Sequence, residues 1–582
     1  MIDTAAARHT RLQVGFGLGH AFLQAWHAWR EASDRPSRLD FIALTPSPPD
    51  AAALRRAHAG TAWQPLAESL AAQWPPLTRN LHRLAFDDGG VHLLLAVGEP
   101  LALLPELRAT VDDFFIDELA LSSDPARAAT RLGKGLARLA APGARLHAPA
   151  ALQALRPALT SAGFVLDAAP GPIGASFRPR HAPRRRRPDV PGLGDRHALI
   201  VGGGLAGCAT AAALAEQGWR CTLVERHDAP AQEASGNPAG LFHGIVNPQD
   251  GAHARFNRAA ALAAQRAVQQ AIADGHVLGS TQGLLRLETS GKSAARMQAE
   301  LRALHLPPDY VQALDATQAS RCAGLPLAHP AWFYPGGGWV QPAALARALL
   351  QRAGSAVEWR GAQPVQALRR HADAWQLHDA AGQVIAEAAT VVLANAGDAL
   401  RLLDAAHWPV QSVRGQISLA AAASVQLPRV PLAGTGYLLP EIDGLAVFGA
   451  SAQPGDVDAA VREADHAYNL QRLQQLSPQA RVPSALQGRV GWRCVADDRL
   501  PLLGAVPDEA ALRSMRAERL RDLPRRPGLY LLAGLASRGI AWSMLGAQVL
   551  AAQISGAPLP LEASLVDALD PARFALRAAR RR

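Results

Sequence analysis

The chain has few cysteines, few lysines and few aromatic residues. Its four cysteines, Cys208, Cys221, Cys322 and Cys494, form no CxxC pair in 582 residues. That scatter argues against a disulfide framework and against a zinc site, so no metal is expected. Only Lys134 and Lys292 are lysines, which leaves 57 of the 59 cationic side chains as arginine (59 − 2 = 57). No uncharged apolar run reaches the 18 or more residues that a membrane-spanning helix needs. The first twenty residues also lack the basic segment and apolar run of a secretory signal. A cytoplasmic protein is the expectation.

What is present suits a large globular chain. Hydrophobic residues make up 49% of it and charged residues 19%, too apolar for disorder and too long for one ordinary core. Cations exceed anions by 59 to 49, giving +10 and a pI near 10.2. Such an excess is the footprint of a phosphate-rich partner, yet an arginine- and alanine-rich composition produces it without one. Charge alone leaves both readings open.

The clearest seam is RPRHAPRRRRPDVPGLGDR, residues 178–196. Its four prolines exclude regular helix or central strand, and the like-charged run Arg184, Arg185, Arg186 and Arg187 stays solvated and extended. The expected organisation is therefore a domain over 1–177, a basic linker over 178–196 and a second domain over 197–582.

The second domain opens with HALIVGGGLAGCATAAALAEQGWRCTLVE. An apolar strand leads into Gly202, Gly204 and Gly207, then an alanine-rich helix, then a strand ending at Glu225. Glycines tighten the turn and let the backbone approach a pyrophosphate, which sits at the helix N-terminus. Glu225, 21 residues after Gly204, is placed to accept hydrogen bonds from a ribose. A dinucleotide site follows from strand, glycines, helix and acid in order. Two later turns favour FAD. VVLANAG ends a strand at Ala396 and Gly397, and GLYLLAGLASRGI carries Gly534, Ser537 and Gly539 ahead of a long helix. Between them, GYLLPEIDGLAVFGAS reads as a hairpin turning at Asp443-Gly444. The stretch from Val357 to Ala394 reads as three strands with a turn at Gly382. In the first domain, RLQVGFGLGHAFLQAWHAW gives a strand, the glycines Gly15, Gly17 and Gly19, and a helix. Short strands and helices alternate beyond it, as in an α/β sheet that binds S-adenosylmethionine.

With these segments in hand, the chain resembles the bacterial bifunctional enzymes that complete 5-methylaminomethyl-2-thiouridine at the tRNA wobble position. In the C-terminal half the resemblance rests on VGGGLAGCATAAALAEQGW, APAQEASGNPAGLFHGIVNP, GGGWVQPAALARALL, VQSVRGQISL, GTGYLLP, DDRLPLLGAVPD and GLYLLAGLASRGI. It implies an α/β protein in which a methyltransferase-like, Rossmann-type domain precedes an FAD-binding domain of the glycine-oxidase and D-amino-acid-oxidase type. A mixed-sheet substrate domain is inserted in the latter. The implied reaction is FAD-dependent oxidation of the carboxymethylaminomethyl group of uridine 34, which leaves the aminomethyl form after hydrolysis.

A substrate carboxylate calls for a planar arginine, and Arg414 in SVRGQ and Arg538 in ASRG are the candidates. The resemblance further implies Ser235, Gly236 and Asn237 in a flavin-contacting loop, while Tyr437, after a glycine, reads as a residue of the substrate face or of the strand packing, and His243 as a helper or a structural histidine. It also implies an anticodon stem-loop as partner, with Arg184 to Arg187 and the C-terminal AARRR as contacts.

The N-terminal half departs from the family. Thr45 stands where an acid for the cofactor ribose is expected, Gly98-Glu99 where a Gly-Asp pair is, and Asp117-Glu118-Leu119 where an Asp-Gly-Phe motif is. Asp117 is the catalytic residue that remains. These departures imply a degenerate methyltransferase domain, with S-adenosylmethionine the second cofactor in question. A fully bifunctional enzyme and a glycine- or sarcosine-type amine oxidase remain as alternatives.

Overall fold

The computed structural model describes residues 8–117, 124–168, 171–179, 196–480, 483, 485–512 and 519–581. The chain forms two compact units, Met1–Gly194 with Ala552–Ser564, and Asp195–Ala551 with Leu565–Arg582. Arg184 to Arg187 of the basic linker and Glu118-Leu119 lie outside the described residues.

In the first unit the elements run β1 (Arg8–Val14), α1 (His20–Glu31), β2 (Arg38–Thr45), α2 (Ala51–His58), α3 (Gln64–Ala72), β3 (Leu81–Phe86), β4 (Val91–Val97), α4 (Pro100–Leu103), β5 (Val111–Ile116), α5 (Pro125–Leu139), β6 (Ala140–Ala148), α6 (Arg156–Ser161), β7 (Phe164–Leu166) and β8 (Ile173–Phe177). They build one eight-stranded sheet in the order β3-β4-β2-β1-β5-β6-β8-β7. The central strands β4, β2, β1, β5 and β6 are parallel, while β3 at one edge and β8 beside the other edge strand, β7, run antiparallel to their neighbours. All seven residues of β4 are buried, as a strand covered on both faces requires. Strand order reverses between β1 and β5, which opens a crevice beyond their carboxyl ends. Helix α5 shows how the sheet is covered. Pro125 starts it, the Asp124 side chain accepts from the Arg127 N–H, and Leu132, Leu136 and Leu139 recur on one fully buried face. Truncating Leu132 or Leu136 to alanine would cost about 2–5 kcal/mol.

The second unit begins with β9 (His197–Val201), α7 (Leu205–Glu216) and β10 (Arg220–Val224). Its parallel core orders Val357–Arg360, β10, β9, Thr390–Leu393 and Arg525–Ala533, and the antiparallel Leu502–Pro507 closes the sheet. The last long strand thus returns beside Thr390–Leu393 and feeds the helix Gly539–Ser555. The stretch expected to hold three strands holds five, because Val357–Arg360 and Thr390–Leu393 join the nucleotide sheet. The other three form a separate antiparallel sheet whose turn passes Gly382. The expected hairpin is there, with Asp443 and Gly444 both at positive φ, the requirement of a tight two-residue turn. It belongs to a nine-stranded mixed sheet around the long strand Val410–Ala421. That sheet is inserted between strands of the nucleotide sheet. Among the described residues, no helix is long and apolar enough to cross a membrane.

Candidate active site

The second unit contains a cavity of about 1130 Å³. Sites for one small ligand usually span ~300–1,000 Å³, so this one has room for a dinucleotide and more. At one end, Gly202 leaves β9 with φ 107°, and a Cβ there would lie 2.8 Å from Asn395 Cα. Gly204 caps α7 and lines the cavity. Gly207 lies off the cavity wall and serves packing, since a Cβ would sit 1.8 Å from the Gly202 carbonyl oxygen. Glu225 ends β10 with both carboxylate oxygens engaged, accepting from Gly203 N–H at 2.6 Å and His227 N–H at 3.1 Å. These bonds fix its orientation on the cavity wall.

Ser235, Asn237, Ala396, Gly397, Gly534, Ser537 and Gly539 also line the cavity. Ser235 Oγ accepts from the Leu205 N–H at 3.1 Å, tying its loop to the start of α7. Gly236 does not line it. A Cβ there would meet Arg489 and the Ala231 carbonyl at about 2.5 Å, so its part is to let that loop pass. Two buried acceptors on the wall, Asn395 Oδ1 and Gln363 Oε1, have no hydrogen-bond partner among the described residues. A dinucleotide's ribose hydroxyls and amino group supply the donors such atoms need. The residues present fit FAD.

The other end is cationic. Arg286, Arg493 and Arg538 line the cavity, and among the described residues no ion pair holds any of them. Burial and the neighbouring Arg286 lower the Arg538 pKa to about 10, which still leaves it charged at neutral pH. Burial, then Arg538 and Arg286, lower His243 well below its ordinary value, so its ring is neutral and suited to no cationic role. Tyr437 is on the wall, and burial pushes its hydroxyl up to about 12 against the pull of Arg493. The Tyr334 ring packs 5.3 Å from that of His243, and the buried Tyr310 hydroxyl has no hydrogen-bond partner among the described residues.

Arg414 is not brought to this cavity. Its side chain is fully buried and bonds Asp465 Oδ2 at 2.6 Å, the Asp458 carbonyl at 2.6 Å and the Ala460 carbonyl. A guanidinium so saturated holds the fold and has no donors left for substrate. Arg493, which the sequence reading passed over, faces the cavity from the paired strand Gln487–Ala496. Its side chain crosses Gly415, where a Cβ would lie 2.2 Å from Nη2. The glycine of SVRGQ was therefore the informative residue, since it clears a path for an arginine on the next strand.

In the first unit, Gly15, Gly17 and Gly19 turn out of β1 with φ 97°, 52° and 79°. Asp117 follows β5 directly and donates its N–H to the Val14 carbonyl at 3.1 Å. Its carboxylate is engaged by Gln13 Nε2, and Gln13 Oε1 is buried without a partner. Thr45 ends β2, almost fully buried, and its carbonyl accepts from the Gly98 N–H. Glycine turn, Thr45, Gly98 and Asp117 thus meet at the crevice where the strand order reverses.

A nucleotide sheet, its glycine turn and an inserted mixed sheet define a flavin-dependent oxidoreductase. The family described as FAD dependent oxidoreductase matches residues 197–553, and the S-adenosyl-L-methionine-dependent methyltransferase family matches 61–174. The fold of glycine oxidase from Geobacillus kaustophilus is similar at 24% identity and TM-score 0.51, covering 64% of this chain and 97% of that one. L-proline dehydrogenase from P. horikoshii is similar at 15% and 0.52, covering 66% and 98%. Over 98% of its length the chain is 46% identical to the tRNA 5-methylaminomethyl-2-thiouridine biosynthesis bifunctional protein MnmC of Methylibium petroleiphilum, 90% of which is covered. It is 42% identical to the protein of that name from Burkholderia multivorans, again over 98% and 90%. The chain belongs to this bifunctional family.

Proposed function

We propose that the second unit oxidises the carboxymethylaminomethyl group of the tRNA wobble uridine to the aminomethyl form, in the cytoplasm. The observation that carries this reading is the cationic end of the cavity. Arg538 keeps its charge in a half-buried position with no acid among the described residues to neutralise it, which is costly unless an anion arrives. A substrate carboxylate is such an anion, and a guanidinium binds it through two parallel N–H donors. Bound FAD supplies the two-electron acceptor. The chain's own residues do the rest. Arg538 anchors the carboxylate, Tyr437 packs against the reacting arm, and neutral His243 adds no further positive charge to this end. Removal of a hydride from the carbon between amine and carboxylate leaves an imine, and water hydrolyses it to the aminomethyl form and glyoxylate.

For the first unit we infer a weakened methyl-transfer step. Thr45 offers a hydroxyl where a carboxylate would give a charge-assisted bond, a difference of about 1.5–3 kcal/mol or roughly 10- to 150-fold in affinity. The engagement of Asp117 by Gln13 supports the same reading. Arg184 to Arg187 remain part of the proposal as contacts to the anticodon stem-loop.

Nucleoside analysis of tRNA from a strain lacking this chain tests both steps. The carboxymethylaminomethyl nucleoside should accumulate, and restoring the chain should yield mainly the aminomethyl form. No accumulation would sink the oxidation reading, and full restoration of the methylated nucleoside would sink the weakened second step. Turnover of free glycine or sarcosine at rates matching tRNA would move the enzyme to small-molecule substrates.

A further inference from the structure

Helix α5 carries a surface that neither cofactor site uses. Arg127, Arg131, Lys134 and Arg138 follow one another at spacings of four, three and four, which lines them up on one face. All four are exposed, opposite the buried leucine face. The helix contains no acidic residue. Its N-cap, Asp124, uses Oδ1 to accept from the Arg127 backbone N–H. Arg131 reaches only the Leu101 carbonyl, at 3.4 Å, and Arg127, Arg131 and Lys134 have no acidic partner among the described residues. On the segments packed against α5, Glu106 accepts from the Ser564 N–H, while α6 adds another cation, Arg156, bonded to Gln153.

This arrangement works against the helix that carries it. Arg127 sits in the first turn, where the positive end of the helix dipole repels a cation. Like charges three and four residues apart destabilise a helix in their own right. A local conflict with no acidic relief among the described residues is the pattern expected of a surface kept for a partner. Position points the same way. Helix α5 starts eight residues after Asp117 and connects the parallel strands β5 and β6, so its Arg127 end lies at the sheet edge that carries the glycine turn. At ~1.5 Å per residue the stripe runs about 16 Å back from that edge. The apolar face of α5 is already buried in the core, which leaves nothing to insert into lipid.

We propose that the α5 stripe is a contact for the phosphate backbone of the RNA substrate, separate from the linker arginines; it rests on the tRNA reading above. Each phosphate neutralised releases counterions, so log affinity falls with log salt by ~0.7 to ~0.9 per contact. The test uses the full-length holoprotein and a transcribed tRNA, with binding measured over a series of salt concentrations. R127Q/R131Q/K134Q should weaken binding and flatten the slope by about 2–3, with flavin absorbance and thermal unfolding unchanged. A control, R302Q/R321Q/R352Q, removes three exposed arginines of the second unit and should leave the slope near wild type. Equal flattening by the control would assign the effect to net charge and overturn the proposal. A wild-type slope in the α5 variant would overturn it while leaving the tRNA reading intact. A wild-type protein with no salt-dependent tRNA binding would overturn both. Loss of binding to anionic vesicles, without loss of tRNA binding, would assign the face to a membrane instead.

Discussion

Both units open with the same device, a strand, three glycines and a helix, yet the glycines are needed for different reasons. In the flavin unit the need is space. Backbone or side-chain atoms stand within 3.5 Å of a Cβ built at Gly202, Gly204 or Gly207, and at Gly207 the clash is with a backbone oxygen. In the methyltransferase unit the need is chiefly handedness, with only the end of the Phe16 side chain, 3.2 Å from a Cβ built at Gly19, crowding the turn. Gly17 has φ 52° with nothing within 4 Å of a built Cβ, and Gly15 has φ 97°. A close-packed turn holds its ligand's backbone path tightly, whereas an open turn constrains only its own conformation. The flavin site is the more rigidly specified of the two.

The largest effect that would break this contrast is expected at Gly207. Gly207→Val must push α7 away from β9, so the purified protein should lack visible flavin absorbance and oxidase activity. Gly17→Ala should cost only the strain of a left-handed alanine, about 1–2 kcal/mol, with the fold intact by circular dichroism. Stoichiometric flavin in the Gly207 variant, or unfolding of the Gly17 variant, would erase the distinction.

A second contrast lies within the flavin unit, between two arginines of similar sequence context. Arg414→Ala leaves Asp465 buried without its partner, and losses of about 3–5 kcal/mol in stability follow from breaking such a pair. Arg538→Ala should leave the melting temperature near wild type and lower kcat/KM on tRNA roughly 10- to 150-fold, the worth of a charge-assisted bond. Activity loss in Arg414→Ala without destabilisation would return it to the substrate site.

These arginines also mark what the sequence could reveal. The FAD turn is legible because its signals are local: strand, Gly202, Gly204, Gly207, helix and Glu225 lie within thirty residues and each has one physical role. The substrate site depends on strand register. On Val410–Ala421, Gly415 and Ile417 face the cavity while Arg414, Gln416 and Ser418 face a buried polar network with Asp465, His466 and Asn469. Arg493 pairs with Val413 and so shares the cavity face. A shift of one residue exchanges the two faces, and both carry polar side chains, so alternation alone could not choose between them. The N-terminal departures were legible as a missing charge at Thr45 and a longer acid at Glu99, whereas the engagement of Asp117 by Gln13 crosses two paired strands and required the fold.

The smallest predicted effect sets the methyltransferase sheet apart by its acid response. Burial pushes the Asp40 carboxyl up, but Arg8 and His92 outweigh it and hold the group at about 2. Asp113 is also at about 2, where His9 and Arg145 overcome burial. Both folded values lie below the unfolded value near 3.8, so the folded state binds fewer protons over that interval. Their stabilisation is therefore complete above pH ~4 and is lost as pH falls toward 2, about 2 kcal/mol for each. Asp112 acts oppositely, because burial raises its carboxyl and favours the protonated form. Hydrogen exchange of β1 and β2 amides should consequently accelerate between pH 4 and 2 beyond the intrinsic pH dependence of exchange. Asp40→Asn should remove about half of that acceleration, because it leaves only Asp113 to titrate there. An unchanged acceleration in Asp40→Asn would show that carboxylates elsewhere govern the acid response of the sheet.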